Sequence, residues 1–183
     1  MMTGHYATAL VAKAEKRDMP LWLLLILSQF TDFLFNLLSL LGIEPIVDSD
    51  GPLGFFVEMT YSHDIVPFLF QVSIIALIIQ LAYKRKDFTL WAIIMVSFHL
   101  ILDIFSGFKH HILGPNTLSY TFGNYITNPV SAFVIELIVT AACLLYFMYA
   151  NRRDGVRYSK TKYALLSITL ILPIVLSIVV VTM

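Results

Sequence analysis

The chain has 183 residues, 58% of them hydrophobic and only 13% charged, with a mean hydropathy of +0.82. A soluble domain carries about a quarter charged residues, and disorder needs few apolar residues and much charge, so composition argues against both. A formal net charge of +0 offers no overall attraction to nucleic acid, and the single Cys143 excludes a disulfide framework or thiolate metal cluster. What remains is an all-α integral membrane protein, a single transmembrane bundle over residues 1–183.

The segment before Pro20 is apolar from Gly4 to Val11 (GHYATALV) but too short to cross a bilayer. If helical from Met1 to Val11 it covers about 16 Å at 1.5 Å per residue. Two placements fit: a re-entrant helix reaching the midplane as one arm of a hairpin that turns near Pro20, or an amphipathic helix flat on the cytoplasmic surface. The first long apolar run is Pro20 to Ile43. It exceeds a signal-peptide core, contains Asp32 and lacks a small-x-small cleavage site, so it is predicted to be a permanent span. Further spans are predicted over Ile65–Tyr83, Phe88–Phe108, Pro129–Ala150 and Lys162–Met183. The fifth, rich in Leu, Ile and Val, has no ionisable residue after Tyr163 and is expected to be a lipid-facing anchor. No internal repeat or low-complexity tract is visible.

Basic residues set the orientation. Eleven of the 12 Lys and Arg fall before the first span, between the second and third, or after the fourth; Lys109 alone falls on the other side, with Glu44, Asp48, Asp50 and Glu58. Five spans with the N-terminus cytoplasmic and the C-terminus outside satisfy every connection.

Ionisable residues inside a span are costly, and those retained usually face an interior cavity and have a partner. Here they are Asp32 in the first span, His99 and Asp103 in the third, and Glu136 in the fourth. Gln29/Asp32/Asn36, His99/Asp103/Ser106 and Glu136/Thr140/Cys143 each repeat at helical spacing, so three spans each turn a polar face to a common interior. His63 and Asp64 stand at the outer mouth of the second span. His110 and His111 follow the third, and His111 is favoured over His110 as a participant. The cluster is expected in the outer half of the bilayer, joined by His5 if the N-terminal helix is re-entrant.

Imidazoles with carboxylates and no thiolate suit Zn, Mn or Fe in a catalytic rather than a structural site. His99-x-x-x-Asp103 places two donors one turn apart. One such pair is often a hydrogen bond that supports packing; three intramembrane acids and a midplane histidine on separate stripes are harder to explain that way. His63-Asp64 is similar to the adjacent dyad of soluble HD-type phosphohydrolases, but two neighbouring residues carry little. No P-loop, GxSxG or GxGxxG motif is present.

The order Gly4-His5-Tyr6-Ala7-x-x-Leu10-x-x-Lys13, Gln29-x-x-Asp32, Tyr61-Ser62-His63, His99-x-x-x-Asp103, then His111, Thr121-Phe122-Gly123-Asn124-Tyr125 and Glu136, resembles the family of membrane-bound metal-dependent hydrolases that includes the YdjM-like proteins. The resemblance covers about residues 4 to 150, leaving 151–183 as a basic loop and anchor helix. It implies a multi-pass protein of a bacterial or archaeal inner membrane with a hydrolytic metal site. A more remote similarity, to zinc-dependent phospholipase C, implies phosphoester chemistry. Two departures stand out. Asp64 replaces a small hydroxyl residue, adding a ligand or shifting metal preference, and Leu113-Gly114-Pro115-Asn116 replaces a Pro-Asp-rich stretch, which bears on the role of His111.

The expectation is therefore a metal-dependent hydrolase. His63, His99, Asp103 and Asp32 form the main ligand set for a divalent ion (Zn first, Mn or Fe as alternatives), with His5 and His111 beside them. Glu136 is expected as a further ligand or the general base, and Asp64 as a second candidate catalytic acid. The substrate would be a lipid-like or other amphiphilic molecule, with phosphoester cleavage as the first choice. The rivals are an ion or proton transporter, for which oligomerisation could supply a pore, and a metal-binding protein without turnover.

Overall fold

In a computed structural model, which describes residues 3–51 and 53–182, the chain begins by burying a helix. Helix α1 (Gly4–Glu15) contains four alanines, the best helix former, and with Gly4 and Thr8 these small residues allow close approach. It packs against α8 (Pro129–Arg153) and α2 (Leu21–Ser28), and touches α6 (Lys86–Ser106) and α9 (Lys160–Thr182). Ala9 and Ala12 join one apolar core with Leu23, Leu27, Phe88 and Met95. Ala7, Leu10 and Ala14 join a second with Leu144, Phe147 and Leu170. The first helix is thus the wedge between the two cores and does not lie along the outside of the bundle.

The run expected as one span, Pro20 to Ile43, is two helices. α2 and α3 (Phe30–Leu40) meet at Gln29 with a bend of 60°. No Pro or Gly lies at the break. Instead a side chain takes a backbone carbonyl there, a recognised cause of sharp kinks: His99 Nδ1 lies 2.9 Å from the Ser28 oxygen. Four helices are long and apolar enough to cross a membrane: α5 (Ile65–Tyr83), α6, α8 and α9. The bent α2–α3 pair would make a fifth if taken as one span. Their bounds lie within three residues of those expected from hydropathy. α6 buries Phe88, Ala92, Met95, His99, Leu102, Asp103 and Ser106, a stripe at helical spacing turned to the interior. α9 buries only Leu170 and Ile174.

The loop expected between the first two spans folds into an antiparallel hairpin, β1 (Ile46–Asp48) and β2 (Phe55–Val57), pairing Ile46 with Val57 and Asp48 with Phe55. Two short helices, α4 (Thr60–His63) and α7 (Asn124–Thr127), flank the segments that carry site residues.

Ion pairs tie three connections together at one end of the bundle. Lys16 lies 2.6 Å from Asp87, Arg85 lies 2.6 Å from Asp18, and Arg17 lies 2.9 Å from Asp154. The hairpin, α4 and the segment after α6 form the opposite end. This separation predicts the outcome of labelling Lys86→Cys and Lys109→Cys, both at exposed positions, in a Cys143→Ala background. In intact cells a membrane-impermeant maleimide should reach position 109, and position 86 only after permeabilisation. Equal reactivity of the two would contradict the arrangement.

Candidate metal centre

α6 supplies two donors one turn apart, with His99 Nε2 3.3 Å from Asp103 Oδ2. The first turn of α3 brings Asp32, whose Oδ1 lies 3.6 Å from His99 Nε2 and 3.3 Å from His63 Nε2. α4 ends on His63, with Nε2 3.7 Å from Asp103 Oδ2. α1 brings His5, which stacks on His99 with ring centroids 3.6 Å apart and places Nε2 3.2 Å from Asp103 Oδ1. His110, from the segment after α6, stacks on His63 at 4.8 Å. His5, His63, His99, Asp103 and His110 are all buried, whereas the Asp32 side chain is 31% exposed. Three groups, His5/His99/Asp103, Asp32/His63/His99 and His63/Asp103/His110, each offer donor atoms within 4.8 Å of one another.

The surrounding structure aims these rings. A carbonyl can only accept, so the contact with the Ser28 oxygen places a hydrogen on His99 Nδ1 and turns Nε2 toward both carboxylates. His63 Nδ1 meets Ser62 Oγ at 2.8 Å, which likewise turns Nε2 inward. The turn carrying His63 is held by buried Glu44, whose Oε1 accepts from the backbone N–H of Tyr61 and Ser62. Gln71 Nε2 donates to the Ser62 carbonyl, and Tyr120 Oη donates to that of His63. Gly107 permits the tight exit from α6: a Cβ there would lie 2.7 Å from the Asp103 carbonyl oxygen. Burial, then the neighbouring His63, pushes the His110 imidazole down to about 3, which keeps the ring neutral with a lone pair to give. His110 Nδ1 makes no hydrogen bond among the described residues.

Three of the expected site residues meet other partners. Asp64 faces backbone amides and stands outside the three donor groups. Its two oxygens accept from the backbone N–H of His111 (2.7 Å) and Gly114 (2.5 Å), fixing the segment that carries His110. His111 belongs to none of the three donor groups. It pairs with Ser119 in an isolated bridge while its neighbour His110 turns inward, since successive residues of an extended segment point to opposite sides. Glu136 is buried as its stripe predicts, and it stands outside the three donor groups. Its Oε1 accepts from the N–H groups of Thr3 and Gly4 at 2.5 and 2.9 Å, and its Oε2 accepts from Tyr125 Oη at 3.1 Å. It satisfies donors that the start of a helix leaves without partners and places a negative charge at the positive end of α1.

A cavity of about 550 Å³ opens onto the cluster. Asp32, His63, Asp103 and His110 form its polar end, while Phe33, Phe35, Ile46, Phe55, Phe108 and Phe133 are among its apolar walls. No Lys or Arg lines it among the described residues. Four imidazoles and two carboxylates with fixed ring orientations fit a divalent metal ion. No family model, curated protein or solved structure matches the chain.

The anchoring role of Glu136 has a measurable consequence. Glu136→Ala leaves the buried Gly4 N–H, the half-buried Thr3 N–H and a phenol without their acceptor, and should destabilise by roughly 2–4 kcal/mol. Glu136→Gln keeps an accepting oxygen and should melt close to the wild type. An unchanged melting temperature in the alanine variant would overturn this role.

Proposed function

We propose that the chain is a metal-dependent hydrolase of a prokaryotic inner membrane, with Zn as the first candidate metal. It would cross the bilayer five times, α2 and α3 forming one broken span, with the basic end cytoplasmic. The observation that carries this reading is the convergence of His5, Asp32, His63, His99, Asp103 and His110 beside an apolar cavity that Asp32, His63, Asp103 and His110 line. A divalent ion held there would lower the pKa of water toward about 7 and polarise the bond to be cleaved.

The residues divide the remaining work. Ser28 and Ser62 hold the imidazoles of His99 and His63 in a ligating orientation. With Glu136 hydrogen-bonded to the start of α1, Asp32 is the cluster carboxylate with marked exposure, and so the donor on the side from which the attacking water would come. The aromatic wall and the hairpin would hold the apolar part of an amphiphile and exclude bulk water, leaving its ester group at the polar end. A phosphoester is the favoured substrate class.

The transport reading has less support. On the basic side of the cluster the interior is filled by Leu23, Leu24, Leu27, Met95 and Val96, an apolar core in place of a polar path.

Elemental analysis of the purified protein should show bound metal. His99→Ala should lose most of it while remaining folded, and Asp103→Asn should lose hydrolysis of a chromogenic phosphodiester amphiphile. If the residues were only a buried hydrogen-bonded set, His99→Ala would lower stability by roughly 1–3 kcal/mol without changing metal content. Chelation provides a separate check. Removing a ligand present at a hundred times its Kd costs about 2.7 kcal/mol, so the melting temperature should fall with chelator and return with added metal.

A further inference from the structure

We propose that the cluster holds two divalent ions, a step that rests on the metal reading above. Six donors are more than a single catalytic ion uses, since such a site commonly takes three protein ligands and keeps a position open. The donors are also not arranged as one shell. They form two stacked imidazole pairs, His5 with His99 and His63 with His110. Asp103 stands between the pairs and meets both: Oδ1 faces His5, while Oδ2 faces His99 of the same pair and His63 of the other. His5/His99/Asp103 and His63/Asp103/His110 are therefore two complete three-donor sets that share only Asp103. The remaining group, Asp32/His63/His99, takes one imidazole from each pair. A carboxylate reaching across two adjacent ions would produce that crossing pattern.

Charge points the same way. The two aspartates contribute −2, which one divalent ion would match. A second ion would leave a positive surplus. The cavity has no Lys or Arg among its described lining residues, so this surplus is what would attract an anionic phosphoester to an otherwise apolar chamber. Two-ion sites are suited to such substrates because they clamp both the attacking and the leaving oxygen.

The test is metal stoichiometry on the full chain in detergent, stripped with chelator and titrated with Zn. The wild type should bind two ions per chain. His5→Gln and His110→Gln, which touch different donor sets, should each bind one, and the double variant should lose both high-affinity sites. Loading with Mn and recording electron paramagnetic resonance should give an exchange-coupled signal in the wild type and an isolated-ion signal in either single variant. Thermal melts of the metal-free proteins check that the variants fold; His5→Asn and His110→Asn replace any that do not. One ion in the wild type, with no coupled signal, would overturn the two-ion arrangement and leave the metal site standing. No ion at all would overturn both.

Discussion

A helix that begins inside a bundle must satisfy the N–H groups of its first turn, and in a membrane interior water is not there to do so. α1 meets this constraint through one side chain. Glu136, buried on α8, accepts from Thr3 and Gly4, while Thr3 Oγ1 donates to the Leu170 carbonyl on α9. Much else depends on that anchor. It lets a short apolar helix occupy the centre, where its alanines complete two separate cores. It also sets the depth at which His5 stacks on His99.

The acids in and around the cluster follow a common division of labour. Glu44, Asp64 and Glu136 each turn a carboxylate to two backbone N–H groups, and each thereby fixes a segment that carries an imidazole: His63, His110 and His5 respectively. Asp32 and Asp103 turn theirs to the imidazoles themselves. Burying a carboxylate requires compensation in either case. Backbone amides provide it for the first three and imidazoles for the other two.

This division explains which parts of the site were legible in the sequence. Periodicity placed the α5, α6, α8 and α9 helices and showed that Asp32, His99, Asp103 and Glu136 face the interior. It could not show what each acid meets there, because Glu136 finds its partners 132 and 133 residues away in sequence. The bend at Gln29 was invisible for the same reason, its cause being an imidazole from α6. His110 was passed over for His111 because two adjacent histidines in a loop carry no periodicity to separate them. The hairpin did leave a signal. Ile46-Val47 and Phe55-Phe56-Val57 flank Asp50-Gly51, β-formers around a turn dipeptide, which the acidic character of the loop obscured.

The hairpin also gives the cavity its orientation relative to lipid. Phe33, Leu37 and Leu40 on α3 are exposed, as are Ile46, Val47, Phe55 and Phe56 on the ribbon. Contiguous apolar surface of this kind marks contact with a membrane or a partner, and in a chain of this composition lipid is the natural neighbour. Phe33, Ile46 and Phe55 line the cavity as well, so the boundary between chamber and surroundings is apolar on both sides. An apolar chain could cross it without meeting a polar barrier, whereas a free ion or a small hydrophilic ester would lose its hydration there. On the proposed reading, selectivity for amphiphiles would thus begin at the cavity wall, before any donor of the cluster is reached.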